Sequence, residues 1–538
     1  MARFLALLLF AVALWAEPIT LAWLKKQPAG RVRDFYVWRY FGQKITPAQA
    51  DEAFYLIQRV TWKHIDRYAK KTKKPGFLMA SKCRRVLASQ LLRVRRDCAE
   101  IGITPAKFAS LSPQKQRRLV RLLRPFEETT TWMAPMAEKN PFDALTRSGP
   151  KTFLKVFNTC GAKWRRANLD RPLPESFVKK LAQTPGYERF VKLIVTDEKL
   201  HNLPLSLLGA PSEKLGHRGT FFLALNAVKQ NKKGFARLYL AQAYKKAWSR
   251  MDKDKVLLWA YLVDGKRKWL EKLAKSPDID IYSLYAKERL GIAWPRVEVP
   301  RFKRQTCGFD ITDPFAWQKV RESLKGKEKA SLREEAKRRF ACQETEGHYA
   351  YLMARAEGFK THYFPMPYEK ALDGLNHDTK ALVYALARQE SVMIPAVVSS
   401  SYALGLMQLM PFLVKSLAKQ KGEKVDLDAM FNPYKNLAYA REHLKFLFRR
   451  LDHPLFIAYA YNGGIGFTKR MLKNRPLFRK KGPYEPWLSM ELVHYDESRR
   501  YGKRVLANYI VYKKLLGEPI GVASLLQTAE SPVRKGRD

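Results

Sequence analysis

The chain has 538 residues, 100 of them Lys or Arg against 50 Asp or Glu for a formal net charge of +50, and 46% are hydrophobic. That length exceeds what one hydrophobic core supports, so two or three domains are expected, and the apolar content excludes a disordered chain or a scaffold held by disulfides alone. The charge implies an anionic partner or surface, whether nucleic acid, lipid headgroups or an acidic polymer, unless it is only the solubility trait of a basic proteome.

The first twenty residues, MARFLALLLFAVALWAEPIT, place Arg3 before an apolar run from Phe4 to Trp15, followed by Ala16 and a polar segment. This is the pattern of a secretory signal, with cleavage expected after Ala16 although Leu14 departs from the usual small residue. The run is too short to span a bilayer with margin, and no Cys follows it to carry a lipid anchor; an uncleaved anchor is the alternative. Export removes the chain from chromosomal DNA, so nucleic acid is set aside as a partner.

From about Asp34 to Gly291 the sequence reads as short amphipathic helices punctuated by KKPG, RPLPE and QTPG. Segments such as GFARLYLAQAYKKAWSR place apolar residues three and four apart, one face per helix to bury. Stacked helix pairs would bury those faces in an irregular array without a strict repeat. Prolines interrupt the pattern over Gly291–Asp310 and again over Phe359–Leu372, bounding a charged helical segment between them. A last set of helices runs from Leu372 to about Gly517, and the tail is expected to be disordered.

The five cysteines show no CxxC or Cys/His spacing for zinc, so no metal is expected. An oxidising compartment allows disulfides. On one unbroken helix Cys83 and Cys98 would lie ~22 Å apart, at about 1.5 Å per residue, so their pairing requires a break between them. Cys307 with Cys342 is the other pair, leaving Cys160; buried free thiols at all five positions are the alternative.

One acid stands out. Glu390 closes a predicted helix over Thr379–Arg388, capped by Asp378, and no Asp or Glu follows as far as Gly422. The helix dipole disfavours a carboxylate there, and Met393 and Ile394 closing over it would raise its pKa by desolvation. Such an acid can donate a proton to a leaving oxygen near neutral pH. GLMQLMP offers a close-packing glycine and the amide of Gln408, AYAYNGGIG presents Tyr459, Tyr461 and Asn462 to suit sugar rings, and HYDESRRYGKRV sets Asp496 and Glu497 beside bases. Taken singly, each reads as well as a core position, a helix stop or a solvated face.

Together and in order, ARQES, GLMQLMP, NPYKNLAYAREHL, AYAYNGG and DESRRYGKRVLAN resemble the signature of soluble lytic murein transglycosylases, whose catalytic domain is similar to goose-type lysozyme. The resemblance is close from Pro365 to Tyr512 and loose before it, where IYSLYAKERLG is similar to the helix-pair endings of the family's superhelical domain. It implies an all-α protein: a signal peptide over 1–16, a superhelical array over 17–295, a small helical linker domain over 296–364, a lysozyme-like α-rich catalytic domain over 365–520 and a tail over 521–538.

The resemblance also implies cleavage of the β-1,4 bond between N-acetylmuramic acid and N-acetylglucosamine in peptidoglycan, without a cofactor. Glu390 matches the catalytic acid, which protonates the glycosidic oxygen and then takes the proton of the muramoyl C6 hydroxyl as a 1,6-anhydro ring closes. Ser391, Gln408, Met410, Tyr461, Asn462 and Glu497 match residues that bind substrate. Glycoside hydrolysis ordinarily needs a second carboxylate, about 5 to 5.5 Å away when retaining or about 6.5 to 9.5 Å when inverting; here the substrate supplies the nucleophile. A hydrolytic muramidase using Glu390 with Glu497 or Asp496 is the alternative, as is an inactive basic murein-binding scaffold. The expected location is the periplasm, with peripheral association to the outer membrane, the sacculus or cell-wall complexes. Tyr402 stands where the family usually has Gly, and Gly463 and Ile465 where Ala and Pro are common.

Overall fold

The computed structural model describes residues 19–474, 477–479 and 482–530, so the expected signal peptide and the end of the tail lie outside the described residues. From Leu21–Lys26 to Ile281–Leu290 the chain is a succession of short α-helices. Proline opens Pro47–Tyr55, Pro75–Cys83, Pro113–Leu122 and Pro150–Thr159, where its missing N–H costs nothing and its fixed φ suits the first turn. Helices adjacent in sequence pack on each other, as His217–Lys229 does on Lys233–Lys246 and Arg250–Asp264 on Arg267–Ala274. Helices this short are marginal alone; full burial of Phe157, Phe190, Leu225 and their neighbours, at ~1.5–3 kcal/mol for such a side chain, is what holds them.

Cys83 ends one helix, a 3-10 turn at Ala88–Gln90 breaks the path, and Cys98 enters on Arg96–Gly102. The break brings the two Cα atoms to 4.9 Å in a disulfide. Cys307 pairs with Cys342, and Cys160 is a buried free thiol.

The next segment leaves and returns at one place, because Val297–Glu298 pairs in parallel with His362–Tyr363. Between those two short strands, Pro314–Ser323, Lys329–Phe340 and Glu346–Ala356 enclose a small core of Trp317, Val320, Phe340, Leu352 and Met353, separate from the main core. Ile394, from beyond the segment, completes it.

In the C-terminal part, Asp496–Leu515 is the central helix, packed on both His377–Ser391 and Pro454–Gly463. Gly502 makes the second contact possible: a Cβ there would sit 2.2 Å from the ring of Tyr459. Tyr459 is accordingly fully buried in the core, which corrects its expected place on a sugar-binding surface. The expected disorder of the tail is corrected over 521–530, while 531–538 lie outside the described residues. Val522–Gln527 is a helix whose Val522, Leu525 and Leu526 are buried, and Glu288 of the array accepts the N–H groups of Val522 and Ala523 at its start.

The array meets this part at both ends. Near its beginning, Tyr36 donates to Asp428 at 2.8 Å and Lys63 to the carbonyl of Ser401 at 2.6 Å. Further along, Lys192 pairs with Asp496 at 3.0 Å, and near the end of the array Tyr282 donates to Glu491 at 2.7 Å. Among the described residues no helix is long and apolar enough to cross a membrane.

Candidate active site

The helix that carries Glu390 runs over His377–Ser391, and its cap is Asn376, whose side chain accepts from the N–H of Thr379 at 2.9 Å. Asp378, expected as the cap, lies in the first turn and is engaged by the hydroxyl of Tyr509 at 2.9 Å and by Lys513 at 2.7 Å. Asn and Asp serve equally well as caps, so the two-residue offset had no local signature. Near the other end, the buried guanidinium of Arg388 donates to Asn508 at 2.7 Å and to the Tyr363 carbonyl at 3.1 Å. It locks this helix to the central one and to the second strand. Val392 and Met393 then both take positive φ, 54° and 63°, a conformation costly for a β-branched residue. The acid therefore sits on the last turn before a strained reversal.

Glu390 is half-buried. The hydroxyl of Tyr501, four residues after Glu497 on the central helix, donates to its Oε1 at 2.6 Å. Burial pushes its carboxyl up to about 7, the Tyr501 hydrogen bond opposes that, and the charge of Glu497 adds to it. Around it is a cleft of about 430 Å³ to which Asn462, Glu497, Arg500, Arg504 and Arg218 contribute, the last from the helical array. Asn462 donates through Nδ2 to Glu497 at 3.0 Å and accepts from Ser498 at 2.7 Å, so both ends of its amide are fixed.

The cleft is lined by polar and charged residues, whose aliphatic and ring carbons supply its apolar surface. Met393 and Ile394, expected to close over the acid, are buried elsewhere, Ile394 in the linker core. The central helix instead covers the carboxyl.

Of the seven expected site residues, Glu390, Asn462 and Glu497 meet in this cleft. Tyr461 is packed close enough for the Glu390 charge to disfavour its ionisation, after burial, and donates to the Met407 carbonyl at 2.7 Å. Gln408 spends its amide on the carbonyls of Gly405 at 2.7 Å and Val397 at 3.1 Å, and Met410 is half-buried at the cap of Pro411–Gln420. Ser391 is buried and donates to Ala387 of its own helix at 3.2 Å. These last three do not line the cleft around Glu390. Gly405 serves close packing: its φ is 79°, and a Cβ would meet the Met430 carbonyl at 2.0 Å. Asp496 is held by Lys192 and Arg499.

Residues 368–481 match the family described as the transglycosylase SLT domain. The C-terminal part is thus similar to the transglycosylase SLT domain over that stretch. Within it, soluble lytic murein transglycosylases are similar: that of Salmonella typhimurium is 27% identical over 143 residues, 26% of this chain and 21% of its own. That of Escherichia coli K12 is 29% identical over 143 residues, 25% of this chain and 20% of its own. A putative one from Haemophilus influenzae is 31% identical over 172 residues, 31% of this chain and 26% of its own. The chain thus matches about a fifth to a quarter of the length of these curated relatives. Among solved structures, the 70 kDa soluble lytic transglycosylase Slt70 from Escherichia coli is 16% identical, covering 94% of this chain and 91% of that one at a TM-score of 0.47. The 70 kDa soluble lytic transglycosylase in complex with bulgecin A is 16% identical, covering 95% and 90% at 0.49.

The central helix, which supplies Tyr501 and Glu497, lies beyond the stretch of the SLT domain that the family describes. Tyr501 was absent from the sequence expectations, yet its place four residues after Glu497 puts both on one helix face and could have flagged it. Arg218 had no such signal, because only the tertiary fold brings the array to the SLT domain. Tyr402 turns away from the cleft. Its φ is 64°, its ring packs against Phe35 and Trp38 of the array, and its hydroxyl meets Nε2 of His64 at 2.7 Å. Nδ1 of His64 takes the N–H of Thr61, so Nε2 carries the proton and is the donor, shared with the Asp34 carbonyl at 3.0 Å.

Proposed function

We propose that this protein is a lytic transglycosylase that cleaves the β-1,4 bond between N-acetylmuramic acid and N-acetylglucosamine in peptidoglycan and leaves 1,6-anhydromuramoyl ends. The observation that carries this reading is Glu390, a carboxyl raised to about 7 and hydrogen-bonded by Tyr501 in the cleft of an SLT domain. A carboxyl with that pKa is protonated in a large fraction of molecules at neutral pH and gives up its proton readily.

In the first step protonated Glu390 donates to the glycosidic oxygen, and the bond from that oxygen to C1 of the muramoyl residue breaks with its electron pair leaving on oxygen. Positive charge develops at C1 beside the new carboxylate. Tyr501, donating to Oε1, occupies one carboxyl oxygen, so the mobile proton resides on the other, and the same hydrogen bond strengthens as the carboxylate forms. In the second step the carboxylate takes the proton of the C6 hydroxyl as that oxygen bonds to C1. The nucleophile is held within the substrate, which supplies the advantage of an intramolecular reaction. Glu390 ends protonated, ready for another cycle.

The domain division consistent with this reading is an array over 17–295, a linker over 296–364 and a catalytic domain from 365. Export by the 1–16 signal would place the enzyme in the periplasm with the sacculus as its anionic partner. Ser391 would serve by holding the end of the helix that carries Glu390, and Gln408 and Met410 would serve more distant parts of the glycan groove through the loop they shape. A hydrolytic variant of the reaction has one observation in its favour, the presence of Glu497 in the same cleft.

Mass spectrometry of the products from purified sacculi separates the two. Anhydromuramoyl ends are expected, and reducing muramic acid ends alone would replace the transglycosylase reading with the muramidase. Glu390→Gln is expected to abolish cleavage while the protein still binds glycan; retained cleavage would remove Glu390 as the acid.

A further inference from the structure

A second, larger cleft of about 700 Å³ lies where three parts of the chain meet: the array around Arg31, the linker helices Pro314–Ser323 and Glu346–Ala356, and segment 396–398, which follows the strained turn after Glu390. Its floor is apolar and aromatic, with Trp317 and Tyr351 in edge-to-face contact at 5.3 Å. Its walls carry five cations, Arg31, Arg321, Lys325, Lys327 and Arg355, against one carboxylate, Glu322. Among the described residues none of the five makes an ion pair, unlike Lys192 and Arg500, which join the array to the C-terminal part. Glu322 accepts from Gln318 at 2.8 Å, and Gln318 also donates to the Ala29 carbonyl at 2.7 Å, tying linker to array.

Convergent cations without counter-charges repel one another across a concave surface, and an anion seated between them offsets that repulsion. Arg355 is already set for such a ligand. Its guanidinium lies 3.3 Å from the centre of the Tyr351 ring and donates to the Tyr351 carbonyl at 2.9 Å, which fixes the planar fork that pairs with a carboxylate through two hydrogen bonds. The volume is that of a ligand of a few residues. The floor of Trp317, Leu324, Tyr351 and Leu352 suits short aliphatic side chains, a surface that a bare phosphate would leave wet.

We propose that this cleft binds a peptidoglycan stem peptide through its free carboxylates, at a site separate from the cleft of Glu390. The choice of peptide rests on the reading of the SLT domain as a peptidoglycan enzyme. Arg321 and Arg355 hold the carboxylates, Lys325 and Lys327 add long-range attraction, and the peptide backbone lies over Trp317 and Tyr351. Val397 and Val398 form the wall opposite. Arg31 donates to the Val398 carbonyl at 3.4 Å, and Gln408 of the SLT domain holds the Val397 carbonyl. A seated peptide therefore touches the loop that joins the acid's helix to GLMQLMP.

The test is calorimetric titration of the full chain with the peptide that an amidase releases from purified peptidoglycan, which carries no glycosidic bond and is not turned over. Binding is expected to weaken tenfold or more in Arg321→Ala/Arg355→Ala, to weaken as much when the peptide carboxylates are amidated, and to fall with added salt. Arg321→Ala/Lys325→Ala, at two exposed positions, is the second variant should loss of the Arg355 stack unfold the linker. Absence of binding overturns the proposal. So does unchanged, native affinity in both double variants, which would put the peptide elsewhere, or displacement by inorganic phosphate at the peptide's own concentration, which would make this a general anion site. Product analysis on sacculi stands apart: peptide binding without glycan cleavage would keep this site and discard the transglycosylase reading, and cleavage without peptide binding would do the reverse.

Discussion

The hydroxyl of Tyr501 and Oε1 of Glu390 are 2.6 Å apart, joining the last turn of one helix to the central helix across the candidate cleft. The bond stabilises the carboxylate over the acid, in opposition to burial. Tyr501→Phe keeps the ring in its buried site and removes only the donor. A hydrogen bond to a charged group contributes about 1.5–3 kcal/mol, so kcat on sacculi should fall roughly tenfold to hundredfold, and the alkaline limb of the pH profile should move upward. A lower kcat with an unmoved profile would mean that the tyrosine acts through packing alone.

The raised carboxyl has consequences for both rate and stability. Because the first step of the proposed reaction needs protonated Glu390, kcat/KM on glycan should decline as pH rises through about 7. For stability, the unfolded chain has this group at about 4.3, so between there and about 7 the folded protein binds more protons than the unfolded one. Stability contributed by the group is then lost as pH rises through that window. Glu390→Gln removes the penalty and should raise Tm at pH 8, by the equivalent of ~1–3 kcal/mol, while leaving Tm at pH 4 nearly unchanged. Equal Tm for both proteins at pH 8 would place Glu390 in water.

Tyr402 stands where the resembling family usually has Gly, and it is packed between Phe35 and Trp38 with its hydroxyl on His64. It pins the loop before GLMQLMP to the first helices of the array. Tyr402→Phe loses the hydrogen bond, ~0.5–1.5 kcal/mol. Tyr402→Gly loses the ring, at about 3–5 kcal/mol for an aromatic truncation, partly offset by about 1 kcal/mol because glycine accepts the positive φ at no steric cost. Thermal unfolding should rank native, Phe and Gly in that order. A Gly variant as stable as the native chain would show that this contact holds nothing.

Where the chain signals locally, its sequence was readable. Prolines and left-handed glycines marked the helix ends, pairing of Cys83 with Cys98 required the break that the structure has, and the isolation of Glu390 singled out a carboxyl that the structure places in a cleft. What escaped was set by tertiary contact. Tyr459 reads as a surface aromatic until Gly502 lets the central helix press onto it. Met393 and Ile394 read as a lid until the strained turn at Val392 carries them toward the linker. Arg218 has no local mark at all, and the helix over Val522–Gln527 depends on a carboxylate from the array, Glu288, to hold its first N–H groups.

Lys503 and Glu491 form the most buried ion pair at the junction of array and SLT domain, 2.6 Å apart with both side chains nearly inaccessible. Burial pulls the Lys503 ammonium down to about 8 against the attraction of Glu491, and the nearby cations hold the Glu491 carboxyl below its ordinary range despite burial. Tyr282 adds a donor to the same carboxylate. Desolvation makes the intact pair a weak source of net stability, whereas removing one partner strands the other charge. Lys503→Met should therefore cost ~3–5 kcal/mol, whereas Lys503→Met combined with Glu491→Gln should recover much of it by leaving a neutral amide for Tyr282. Urea denaturation of the two single variants and the double variant measures the coupling directly. Additive losses would mean that the two charges are solvated independently and that the junction is wetter than its geometry implies.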